Sequence, residues 1–195
     1  MILFCVLLCL PFLTMLLIRY SIDSKTSHSH QRTVIVKQGC IFGLLMGALF
    51  MVLSLFGNVI PVPSALEHII DWVFAPFVLG LALLTLSVSG YRTSRVTGHL
   101  RAAFLTGLLT AVFVFFLFGL SFVIIDMVFF DVVRQQPEKI FNFARSGYTD
   151  MRAYLFDSTV RGAIVMTLVG GALGAILGSV GALVGNRMLP RRRTA

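Results

Sequence analysis

The sequence predicts an all-α protein, a polytopic transmembrane helical bundle forming one domain over residues 1–195, and three observations predict it. Hydrophobic residues fill 57% of the 195 positions and charged residues only 12%, whereas soluble domains are about half apolar and a quarter charged. A soluble fold of this size cannot bury such an excess, so the excess faces lipid. The apolar residues also fall into five runs without alternating polarity, which suits helices and not spanning strands. Finally, the formal charge of +8 lies in short basic blocks between the runs. That is the pattern of membrane orientation rather than of a nucleic-acid face, so no nucleic-acid partner is expected.

The runs are Met1–Ile18, Gly39–Ile60, Ile69–Gly90, Ala102–Ile125 and Gly162–Gly185. The last four reach the roughly 20 residues that a spanning helix needs. The first is short, contains Pro11 and lacks a charged start. It is read as a span with its N-terminus outside, because no small-x-small cleavage site follows it. The competing reading is a start-site extension of a four-helix protein.

The linkers set the orientation. Arg19, Lys25, Arg32 and Lys37 mark 19–37 as a cytoplasmic linker, and Arg92, Arg95 and Arg101 follow the third run. Arg187 and Arg191–Arg193 make 186–195 a basic cytoplasmic tail. By contrast, Pro61–His68 has no Lys or Arg, and 126–161 carries as many acidic as basic residues. The positive-inside rule places these two outside, in a bacterial-type plasma (inner) membrane with the C-terminus cytoplasmic. Only Arg161, at the outer end of the last run, goes against the rule. Trp72, Tyr20 and Tyr91 fall at the expected interfaces.

The connector 126–161 is too charged to cross and too aromatic for a free loop. Pro137 suits the first turn of a helix carrying Ile140, Phe141, Phe143 and Ala144, and Gly147 can end it. Thr149 would then cap a second helix with Met151, Tyr154 and Leu155. Two amphipathic helices, at 137–146 and 150–160, are therefore expected on the outer leaflet.

Small residues give the clearest pattern within the spans. Gly170, Gly174, Gly178, Gly181 and Gly185 recur with Ala163 and Thr167 at steps of three and four in the last run. They fall within an arc of roughly 80°. Gly39, Gly43 and Gly47 form a second stripe, continued by Ser54 and Gly57 and interrupted by Phe50. A pore lining or hinge is one reading; close helix packing is the preferred one, because small residues let backbones approach in lipid. The two stripes overlap in depth, so the second and last helices are expected to meet near the cytoplasmic side. Homo-oligomerisation through the last stripe, or a membrane-protein partner, competes with that pairing.

No catalytic, cofactor or metal site is expected. Gly178-Ser179-Val180-Gly181 lacks a helical His partner, and no HExxH or phosphate-cradling loop occurs. His28 and His30 form an isolated HxH in a polar linker, short of a ligand set. Cys5, Cys9 and Cys40 lie in or beside apolar runs with no redox spacing. No charge lies near the middle of a run, and Asp71 and Asp126 sit at helix ends, which argues against proton- or ion-coupled transport. Phe113, Phe115, Phe116 and Phe118 could line a lipid or isoprenoid pocket, but packing bulk is the preferred reading.

Gln38-Gly39-Cys40-Ile41-Phe42-Gly43 and Gly90–Gly98 resemble the cytoplasmic boundaries of small, uncharacterised multi-pass bacterial membrane proteins. The resemblance implies no activity, substrate or cofactor. The sequence thus points to a non-enzymatic structural or accessory subunit whose partners are membrane lipids, with anionic lipid near Arg191, Arg192 and Arg193. The alternative is a small transporter or channel subunit for a neutral or apolar solute, marked by a cavity lined by Ser54, Asn58, Thr85, Thr106 and Thr110.

Overall fold

The computed structural model describes residues 2–22, 29–59 and 75–188. These form α1 (Ile2–Ile22), α2 (Ser29–Val59), α3 (Ala75–Thr97), α4 (Leu100–Val128), α5 (Phe130–Val133), α6 (Pro137–Ser146) and α7 (Met151–Met188). Five of them, α1 to α4 and α7, are long and apolar enough to cross a membrane. The protein is an all-α, multi-pass membrane bundle. The Pro61–His68 linker, Asp71, Trp72, Lys25, His28 and Arg191–Arg193 lie outside the described residues, as do the side chains of His30, Asn58 and Arg187.

The helices outrun the apolar runs because helical hydrogen bonding does not stop where hydrophobicity does. Within the expected 19–37 linker, α1 continues to Ile22 and α2 begins at Ser29. Pro11 lies inside α1. At the far end of α3, Gly98 adopts φ 71° and donates its N–H to the Ser94 carbonyl at 2.7 Å. This left-handed cap is open to glycine without a β-carbon penalty. His99 is extended and α4 starts at the next residue, so α3 and α4 form a hairpin with a two-residue turn.

The connector holds two short helices, but one is not where the spacing put it. α6 matches 137–146, with Pro137 in its first turn and Gly147 at φ 75° ending it. Residues 150–160, however, are not a separate helix. Asp150, not Thr149, caps α7, accepting from the N–H groups of Arg152 at 3.1 Å and Ala153 at 3.2 Å. No Gly or Pro interrupts 151–161, so the charged turns run straight into the apolar ones. The second short helix is instead α5, directly after α4.

α4 is the hub and lies against all four other long helices. Ala103, Leu109, Ala111 and Val114 on it are buried. Its two sides meet the two glycine stripes. A β-carbon at Gly43 would fall 2.7 Å from Phe113 Cβ, and one at Gly39 would fall 2.8 Å from Leu109 Cδ2. Gly47 faces Leu117 in the same way. On the other side, a β-carbon at Gly178 would lie 2.6 Å from the Ala103 carbonyl oxygen and 2.9 Å from Gly107 Cα. Gly174 faces Ala111 and Gly107, while Gly181 and Gly185 face Ser87, Tyr91 and Ser94 of α3.

The expected meeting of the α2 and α7 stripes is therefore wrong. α4 carries a small face of its own, Ala103, Gly107 and Ala111, and it occupies the place between them. The Phe crowd on α4 is packing bulk: Phe113 covers Gly43, Phe115 covers Gly170, and Phe118 meets Phe50 with ring centroids 6.0 Å apart.

Candidate functional site

Polar side chains from three helices gather at the end of the bundle formed by α5, α6 and the first turns of α7. We call this the cap. Its centre is Asp126, in the last turn of α4, whose side chain is only 6% exposed. A carboxylate taken out of water is strongly unfavourable unless cations or donors compensate it. Thr159 Oγ1 on α7 donates to Asp126 Oδ2, and Lys139 Nζ on α6 lies 3.9 Å from the same oxygen. Three elements thus converge on one carboxylate.

Beside it lies a cavity of about 330 Å³. Asp126, Lys139, Ser158 and Thr159 form its polar side, and Phe122 and Met166 form its apolar side. Such a space can hold a small group that donates hydrogen bonds toward Asp126. Among the described residues no three of His, Cys, Asp and Glu gather as metal ligands would.

A second polar tie fixes the turn that α6 makes back into α7. Tyr148 Oη donates to Asp157 Oδ2 at 2.6 Å, and Arg161 Nη2 pairs with the same carboxylate at 2.7 Å. The hydrogen bond to Asp157, with desolvation and repulsion from that carboxylate, holds the Tyr148 phenol above the usual tyrosine range. Arg161, which goes against the charge rule, is thereby neutralised within its own helix, one turn from Asp157.

Aromatics staple the remainder. Tyr154 packs against Phe143 and Tyr148, with centroids 5.8 and 5.7 Å away. Arg152 lies 5.0 Å over the Phe130 ring and reaches the Met127 carbonyl oxygen at 3.4 Å. Beneath them Ile125, Val133 and Leu155 form a small buried cluster that joins α4, α5 and α7. The cap is folded onto the bundle and is no loose connector.

The eight glycines expected to serve packing, Gly39, Gly43, Gly47, Gly170, Gly174, Gly178, Gly181 and Gly185, lie along the bundle away from this cluster. Those of α7 touch α3 and α4, and those of α2 touch α4. The hydroxyls expected to mark a cavity do other work. Thr106 and Thr110 are fully buried and donate to the carbonyls of Ala102 and Thr106, and Thr85 donates to Leu81. The Asp126 cluster was not legible as a site. Its members are separated by 13 and 33 positions in sequence, and only a lone acid at a helix end hinted at it. Comparison with protein families, curated proteins and solved structures finds no match for this chain.

Proposed function

We propose that the protein is a non-enzymatic structural or accessory subunit of a bacterial-type plasma membrane, with the cap as its working face outside and the basic ends of its helices in the cytoplasm. What supports the reading is the closure of its core. α3, α4 and α7 touch backbone to backbone at Gly90, Gly107, Gly174, Gly178 and Gly181. Helices packed this closely resist sliding, because interiors at this density have discrete rather than continuous arrangements. The cap meanwhile exposes Ile140 and Phe141 on α6 beside Lys139 and Arg145, a composition suited to the headgroup boundary or to a neighbouring membrane protein.

The alternative, a small transporter or channel subunit for a neutral or apolar solute, needs α4 and α7 to part. Spin labels at the exposed positions Phe104 and Val180, in a cysteine-free background in lipid nanodiscs, separate the two. A static subunit gives one narrow distance distribution. Two populations would refute the structural reading in favour of transport.

Sidedness has its own test, resting on the Lys/Arg bias. A cysteine at exposed Asn142 should react with an impermeant thiol reagent added outside, and one at exposed Val96 should not. The reverse result overturns the orientation.

A further inference from the structure

The cavity beside Asp126 has a direction. Asp126 and Phe122 lie one turn apart on α4, and Gly119 lies about 10 Å from Asp126 toward the middle of the bundle. On α7, which runs the opposite way, Ser158 and Thr159 line the cap end, and Met166 lies about 10 Å deeper. Lys139 reaches the cap end from α6. The polar groups of the cavity thus lie at the cap and the apolar ones toward the membrane interior. Gly162 sits between them and is exposed. Among the described residues nothing comes within 4 Å of a β-carbon built there. On that side the cavity opens, and an exposed face at this depth of a multi-pass bundle meets lipid.

Among the residues that line it, Asp126 is the acid and Lys139 the base, so the lining is neutral but dipolar. Lys139 Nζ stands 3.9 Å from Asp126 Oδ2, too far for a hydrogen bond. A carboxylate offers about four acceptor positions, and the Thr159 hydroxyl uses one of them. A ligand ammonium therefore fits at Asp126 and a ligand anion at Lys139. Water would satisfy the polar end but gains nothing against Phe122 and Met166. An amphiphile with an anionic head alone would set like charge against Asp126, whose side chain is only 6% exposed. A quaternary ammonium has no N–H to give and forgoes the charge-assisted bond that a primary one makes. The volume of about 330 Å³ is near the lower end for ligand pockets. It suits a headgroup and the start of a chain, the rest passing out beside Gly162.

We propose that this cavity holds the head of one zwitterionic phospholipid with a primary ammonium, of the phosphatidylethanolamine class. The ammonium donates to Asp126, the phosphate pairs with Lys139, and the chain lies on Phe122 and Met166. The lipid head then bridges α4 and α6 and becomes part of the cap. The site serves a static bundle and a moving one alike, because it uses groups at one end only.

The test uses the purified full chain in mild detergent, read by native mass spectrometry. It is titrated with phosphatidylethanolamine, phosphatidylcholine or phosphatidylglycerol of matched chains. One phosphatidylethanolamine should be retained in preference to the other two, and excess glycerophosphoethanolamine, the same head without chains, should not displace it. Asp126→Asn keeps the shape but removes the charge, and it should weaken retention at least about tenfold. Lys139→Gln should weaken it by a smaller factor, since that side chain is partly exposed. Gly162→Phe keeps every charge and fills the open side, so it should expel the lipid without lowering the midpoint in denaturant titration, which separates loss of the site from loss of fold. Equal retention of the three lipids, or a preference for phosphatidylcholine or phosphatidylglycerol, would overturn the proposal. So would displacement by the chainless head, or unchanged retention in Asp126→Asn or in Gly162→Phe.

Discussion

The two glycine stripes look alike in sequence and do different things in the bundle. On α2, Gly39, Gly43 and Gly47 make a trough into which Leu109, Phe113 and Leu117 of α4 are set. On α7, Gly174, Gly178 and Gly181 lie against the backbones of α4 and α3, at Gly107, Ala103 and Ser87. A β-carbon on the α2 stripe would meet side chains first, with the Thr110 and Phe113 carbonyl oxygens 3.0 Å away at Gly43 and Gly47, whereas at Gly178 and Gly181 it would meet main chain at once. A side chain can turn aside; a carbonyl in a helix moves only if the helix moves. The same spacing therefore describes a compliant seam and a rigid one, and the difference resides in the partner helix.

The rigid seam should be the harder to disturb without damage. Gly178→Leu is expected to destabilise at or beyond the top of the ~1–3 kcal/mol range for overpacking, read as a lowered midpoint in denaturant titration of the detergent-solubilised protein. A change below about 1 kcal/mol would show that α4 and α7 are looser than their contact implies. Gly178→Ala should still cost more than any alanine in the α2 stripe.

Thr159→Val leaves both stripes intact and removes the hydroxyl donor from buried Asp126. An acceptor left short of a partner in a buried place costs about 1–3 kcal/mol. The loss should appear in the same titration and should add to that of Gly178→Ala, because the sites share no partner. A strong coupling between them would mean that cap and core open together.

The compliant seam is tested by Gly39→Ala, where the three atoms nearest the new methyl all belong to the Leu109 side chain. The expected loss is about 1 kcal/mol or less, below that of Gly178→Ala, because a leucine can change rotamer. In a double-mutant cycle with Leu109→Val, part of the loss should be recovered. If the two changes merely add, the α2 seam is as stiff as the other.

The smallest effect lies in the cap. The Tyr148 phenol is held above the ordinary tyrosine range by its bond to Asp157. A folded-state pKa raised above the unfolded one gives stabilisation that is complete below the unfolded value and fades as pH rises through the folded one. Ultraviolet titration should show this phenolate forming later than those of freely solvated tyrosines. Asp157→Asn should bring it earlier; no change on that substitution would remove the tie.

Much of this was legible. Run length and charge placement gave the bundle, and Pro137 and Gly147 gave α6 to the residue. What escaped has physical causes. Small residues announce close approach without naming the partner, and α4 hides its own Ala103, Gly107 and Ala111 stripe among bulky phenylalanines. The charged turns of α7 read as a separate helix because hydropathy changes at Gly162, although nothing there breaks hydrogen bonding. Asp126 looked like an interfacial acid, since burial depends on Lys139 and Thr159, which tertiary structure brings to it.

The two-residue turn at Gly98 and His99 has a consequence for how the chain enters a membrane. α3 is the least apolar of the five long helices and α4 the most, and α3 carries Ser89, Thr93 and Ser94 fully buried in the finished bundle. Taken alone, α3 would partition into lipid with little driving force, its hydroxyls facing hydrocarbon until α7 arrives. Joined to α4 by so short a turn, it cannot remain behind when α4 inserts. The pair therefore crosses as a single helical hairpin, in which the strong partitioning of α4 carries α3 with it and presents the small face of both to α7, which follows them in the chain.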